Sequence, residues 1–143
     1  MMNLDYEAAN TARAIIEPAR AIIEQGGGPV HTKALKSKLE NVIFKSLGIL
    51  QEQGIYASSL YLWTRGKSET QFAAIVREEL LRLSIRLLNL PSHTTAVDAA
   101  TYLAFVSEKL NHDFTVMLWM KDAWELALVY ARYGAKTVHP THT

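Results

Sequence analysis

Apolar residues recur along the chain at intervals of three and four, and no segment shows a period-two alternation bounded by turn residues. From Leu4 to Gln25, the residues Ala8, Ala12, Ile15, Ala19, Ile22 and Ile23 mark one face of a first helix. Pro18 lies inside that pattern and predicts a kink or a split, because its ring removes a backbone donor and crowds the preceding turn. Gly26, Gly27, Gly28 and Pro29 end the stretch, a joint too short to divide the chain into two domains.

A second helix is predicted from about Thr32 to Gln53, with Leu35, Leu39, Val42, Ile43, Leu47 and Leu50 on its buried side and Gly54 as the residue beyond its end. Ile55 to Trp63 forms a short apolar piece closed by Arg65 and Gly66. Ser68 with Gln71 reads as a capping box that opens a helix running to Asn89 and stopped by Pro91. Thr95 with Asp98 repeats that logic for a helix reaching Leu110. The last helix takes Phe114 to Tyr133, with Gly134 as its terminator and residues 136–143 as a flexible tail. The expectation is one all-α domain over residues 1–143, a compact bundle of five to seven helices.

Composition narrows the chemistry. The 143 residues include no cysteine, which excludes a disulfide scaffold, a thiol nucleophile and a thiolate metal site. The longest apolar run, FTVMLWM, is far shorter than a membrane span of about 18 residues, and MMNLDYEAANTARA has no basic leader followed by an apolar stretch. No membrane partner and a cytoplasmic address are therefore expected. The net charge of +1 conceals an uneven distribution. Residues 1–30 hold two basic and four acidic side chains, residues 31–86 nine and five, and residues 87–143 four and five.

Catalytic patterns are weak. A metal-dependent phosphohydrolase of the HD type could draw on His93, His112, Asp113 and Asp122, although His112-Asp113 also reads as a helix boundary where Asp caps. His139 and His142 follow the last helix beside Pro140 and belong to the tail. No glycine-flanked serine forms a nucleophile elbow, and the triple glycine lacks the preceding strand and following Gly-Lys-Ser/Thr of a phosphate cradle. The expectation is a protein that is not an enzyme and holds neither cofactor nor metal.

The basic middle is more informative. Lys38 and Lys45 are seven apart, close to one face of the second helix, and Arg82 and Arg86 share a face four apart. Between them, YLWTRGK sets Tyr61 and Trp63 beside Arg65 and Lys67. Aromatic planes with cations suit single-stranded nucleic acid, which offers stackable bases and phosphates together; a core role for the rings and a solvated role for the charges is the alternative. The last helix is apolar on nearly all sides, leaving a strip of Lys121, Glu125 and Arg132, so it is either central or an interface through Met117, Met120 and Trp124.

Two passages, KLENVIFKSLGILQEQGIYASSLYLWTRGK and FTVMLWMKDAWELALVYARYG, resemble the small all-helical subunit of the Cmr (type III-B) CRISPR effector complex. They cover under half of the chain. It departs from that family at Lys121-Asp122, where Lys-Arg is common, and in Pro18 and the triple glycine. The resemblance implies a non-catalytic antiviral subunit that stacks on other Cmr subunits and lines the groove holding target RNA on its guide. Charge and spacing nominate Lys38, Lys45, Arg65, Lys67, Arg82 and Arg86 for the RNA contact. A helical scaffold or regulator that binds only protein, with possible self-association, is the competing reading.

Overall fold

The computed structural model describes residues 3–25, 27–65, 69–91 and 98–138. Among them every regular element is helical: α1 (Leu4–Glu24), α2 (Pro29–Gln53), α3 (Ile55–Trp63), α4 (Thr70–Leu87), α5 (Ala99–Phe105) running into a π-helical turn (Val106–Leu110), and α6 (Phe114–Lys136). The expected all-α bundle is what forms.

Helix ends follow local chemistry, which departs in places from the sequence expectation. Helix α1 opens on Asn3, whose side chain accepts from the Tyr6 amide at 3.2 Å, and passes through Pro18 without splitting. Ile15, Ile16 and Ala19 around the proline are all buried, and that packing outweighs the one backbone bond that Pro18 cannot make. Helix α2 starts at Pro29, which occupies the first turn where a missing N–H costs nothing, and ends at Gly54 with φ 98°. Helix α4 begins at Thr70; the expected capping residue Ser68 lies outside the described residues. It is stopped by Asn89 rather than Pro91: Asn89 adopts φ 55°, and the amides of Leu90 and Asn89 donate to Ile85 and Arg86 carbonyls, a Schellman closure. Helix α5 is capped by Asp98, which accepts from the Thr101 amide at 2.7 Å, and Thr95 also lies outside the described residues.

A further departure is at the C-terminal end of α6. The helix does not stop at Gly134; Lys136 completes it, the Thr137 hydroxyl accepts from Arg20 at 3.4 Å, and Val138 is fully buried. The folded chain therefore extends into what the sequence marks as tail, while residues 139–143 lie outside the described residues. Gly134 serves packing instead of termination. A Cβ there would stand 2.9 Å from Cγ1 of Ile16, closer than carbon atoms tolerate, so glycine sets how near α1 and α6 approach.

Helix α6 is the shared wall of the core. Its buried face, Met120, Ala123, Trp124, Ala127, Leu128, Ala131 and Ala135, is mostly small, and it packs chiefly against α1 and α2. Trp124 is fully buried, and its Nε1 donates to Ser84 Oγ of α4 at 2.8 Å, while Ser84 donates in turn to the Leu80 carbonyl at 2.9 Å. Met120 and Trp124, expected at a protein interface, are thus core residues, and Met117 is half-buried. Joints between the remaining helices are polar as well as apolar. Ser58 of α3 donates to the Ser46 carbonyl of α2 at 3.0 Å, and Tyr102 of α5 donates to the Arg77 carbonyl of α4 at 2.7 Å.

Two expectations follow. Gly134→Ala would gain up to about 1 kcal/mol in an open helix, but overpacking costs about 1–3 kcal/mol, so urea unfolding of the variant should show a net loss. In an Ile16→Ala background, which lacks Cγ1, the same Gly134→Ala change should cost nothing or stabilise; a Gly134→Ala protein more stable than wild type would mean that the contact is not tight. Burial also pushes the Tyr102 hydroxyl pKa well above its usual value. The unfolded chain then releases this proton while the folded chain keeps it, so the contribution is intact below about pH 10 and falls by up to ~1.4 kcal/mol per pH unit above it. Urea unfolding from about pH 8 to about pH 11 should show a steeper alkaline loss in wild type than in Tyr102→Phe.

Candidate nucleic-acid interface

The solvent side of α2 carries two of the basic residues that the sequence nominates, Lys38 and Lys45. Lys38, Asn41 and Lys45 are spaced three and four apart, which sets them along one flank of the helix. Neither lysine has an ion pair among the described residues. Asn41 donates to Glu69 Oε2 at 2.9 Å, and Glu69 lies 3.6 Å from Arg65, so the end of α3 and the start of α4 are drawn against this flank. Arg65 therefore joins Lys38 and Lys45 on one side of the molecule. Lys67 lies outside the described residues.

The aromatic residues beside Arg65 are not free planes. Tyr61 is buried, with the Arg65 guanidinium 4.1 Å above its ring, and desolvation raises its hydroxyl pKa. Trp63 is covered by Arg77, 3.6 Å from its ring centre, and meets Tyr102 edge-on at 5.8 Å. Burial lowers the Arg77 pKa, and stacking on Trp63 gives that cation a partner where water is scarce. Both rings belong to packing, which leaves them unable to stack bases without rearrangement. The Tyr61 hydroxyl and Arg65 Nε are buried with no hydrogen-bond partner among the described residues.

Arg82 and Arg86 stand apart from this surface and are already engaged. Arg82 reaches Glu78 at 2.6 Å and Glu79 at 2.7 Å on its own helix. Burial raises the Glu79 pKa and Arg82 opposes it, so the arginine offsets the cost of a half-buried carboxylate. Arg86 binds Glu7 at 2.9 Å and the buried Thr11 hydroxyl at 3.1 Å, clasping α4 to α1. Their four-residue spacing was legible; their carboxylate partners, one of them 79 positions away in α1, were not.

The seam between α2 and α6 adds residues that the nomination left out. The polar strip of α6 faces α2: Lys121 donates to the Gln51 carbonyl at 3.4 Å, Glu125 accepts from Gln51 at 3.0 Å, and Lys136 lies 3.9 Å from Glu40. Higher on the seam a cleft of about 330 Å³ is lined by Ser37, Glu40, Asn41, Phe44, Arg132 and Lys136. The Arg132 guanidinium lies 4.8 Å over the Phe44 ring, yet Phe44 is 54% exposed. The one available sign in the sequence was that Phe44 falls beside the apolar stripe of α2 rather than on it.

The metal reading gains no support. Asp113 caps α6 by accepting from the Val116 amide at 3.1 Å, His112 and Asp122 are exposed, and His93 lies outside the described residues. Among the described residues no three His, Asp or Glu side chains are gathered as a metal site. No helix of the described residues is long and apolar enough to cross a membrane. The exposed apolar side chains of α6 are Phe114 at 72%, Leu118 at 45% and Trp119 at 39%, clustered in its first turns, with Tyr133 near its end. Compared with protein-family models, curated proteins and solved structures, the chain matches none.

Proposed function

We propose that this protein is a non-catalytic, RNA-contacting subunit of a cytoplasmic RNA-guided antiviral assembly, of the Cmr kind that its two sequence passages resemble. The observation that carries the reading is the α2 flank, where Lys38 and Lys45 stand without carboxylate partners among the described residues, while Arg65 beside them is already held by Glu69. A phosphate backbone supplies the missing anions and releases its counterions on binding. Arg82 and Arg86 take no part, because their carboxylates already neutralise them. Guide and target RNA, with neighbouring subunits of the assembly, are the partners. The apolar turns of α6 around Phe114, Leu118 and Trp119 replace Met120 and Trp124 as the surface offered to a neighbouring subunit.

A protein-only scaffold is the second reading, and the same exposed α6 turns favour it. Salt dependence separates the two. Labelled single-stranded RNA titrated at several salt concentrations should bind weakly, with log K falling by about 0.7 per contacted phosphate for each unit of log salt. The double variant Lys38→Gln, Lys45→Gln should bind less tightly with a shallower slope, and Arg82→Gln should match wild type. RNA affinity indifferent to salt, or absent at low salt with assembly partners present, would favour the scaffold.

A further inference from the structure

The cleft between α2 and α6 has the features of a site for one nucleotide. Its aromatic member, Phe44, is a large apolar side chain left 54% exposed in a chain whose other α2 apolar residues are mostly buried. Arg132 lies over that ring at 4.8 Å, so a planar cation and an aromatic plane already form the pair on which nucleobases stack. Ser37, Glu40 and Asn41 bring hydroxyl, carboxylate and amide groups to the walls, which can meet the polar edge of a base. Lys136 stands at the rim, and Lys36 donates to its backbone carbonyl at 3.3 Å. Arg132 and Lys136 against the single lining carboxylate of Glu40 leave the cleft cationic, and Glu40 is itself 3.9 Å from Lys136.

Size points the same way. At about 330 Å³ the cleft sits at the small end of the ~300–1,000 Å³ range of small-ligand pockets, the scale of a single nucleotide. Continuity with the lysine flank supplies direction, since Asn41 both lines the cleft and ties Glu69, the partner of Arg65, to α2. A strand following Lys38 and Lys45 therefore passes the mouth of the cleft.

We propose that this cleft is a base-stacking subsite for single-stranded RNA: one base lies against Phe44 and Arg132, and its phosphate is held by Lys136. The proposal rests on the RNA-contacting reading above and adds to it a contact with a base. Stacking accepts any base, so the subsite adds affinity with little sequence preference. It also responds differently to salt, because a ring releases no counterions whereas a lysine does.

The full-length protein, titrated with a labelled oligouridylate and with an abasic oligoribonucleotide of equal length, provides the test. Phe44→Ala should weaken oligouridylate binding about tenfold while leaving the salt slope and the abasic affinity unchanged. Phe44→Trp should restore binding, and its exposed position lets circular dichroism verify that each variant keeps the helical fold. Unchanged oligouridylate affinity in Phe44→Ala, with wild type still binding in a salt-dependent way, overturns the subsite alone. An equal loss on the abasic strand overturns it too, since Phe44 would then shape the surface without touching a base. Absence of any RNA binding by wild type removes both the subsite and the reading on which it rests.

Discussion

The bundle depends on how closely α6 can approach its neighbours. Alanines at 123, 127, 131 and 135 and the glycine at 134 strip its buried side of bulk, so α1 and α2 close on it from either side. Trp124 is the exception, a large ring at the centre of small residues, and it can be buried only because Ser84 accepts from its N–H. Ser84 must point inward from α4 for this to work, and it does so while donating to its own helix at Leu80. One hydrogen bond thereby fixes the rotation of two helices relative to each other. The Tyr130 hydroxyl, which donates to Asp5 at the rim, is a further tie between α6 and α1.

The same seating decides what the surface offers. With its small-residue face occupied, α6 turns Lys121, Glu125 and Arg132 toward the exposed edge of α2 and leaves Phe114, Leu118 and Trp119 in water. Contacts along that edge tie Gln51, Glu40 and Phe44 to α6. Lys38 and Lys45 project from the outer flank of α2 with no carboxylate held among the described residues. Arg82, held between two glutamates, and Arg86, held across to α1, would first have to break those contacts to meet an anion.

Most of the fold is legible in the sequence, because a helix records its buried face in the spacing of its apolar residues. The stripes Leu35 to Leu50 and Phe72 to Leu87 are buried as the spacing requires, and Gly54 ends α2 as expected. Errors arose where a residue type has two uses. Gly134 was legible as a terminator and is a contact point; Pro18 was legible as a kink or a split, and α1 runs through it unsplit, carried by the packing on both sides of it. Met120 and Trp124 carry the signature of an interface and of a core equally well, and only their neighbours separate the two.

The sequence by itself determined the class, the number of helices to within a narrow range, and the absence of cysteine chemistry, all of which depend on local order or on composition. It also placed an excess of cations in the middle of the chain. Which cations are available was decided by tertiary structure alone, since a charge is cancelled by whatever lies within a few ångströms, however distant in the chain. Glu7 reaches Arg86, Glu69 reaches Arg65 and Asn41, and Arg132 reaches Phe44. From those encounters come both the withdrawal of Arg82 and Arg86 from the candidate surface and the cleft that no spacing along the chain could disclose.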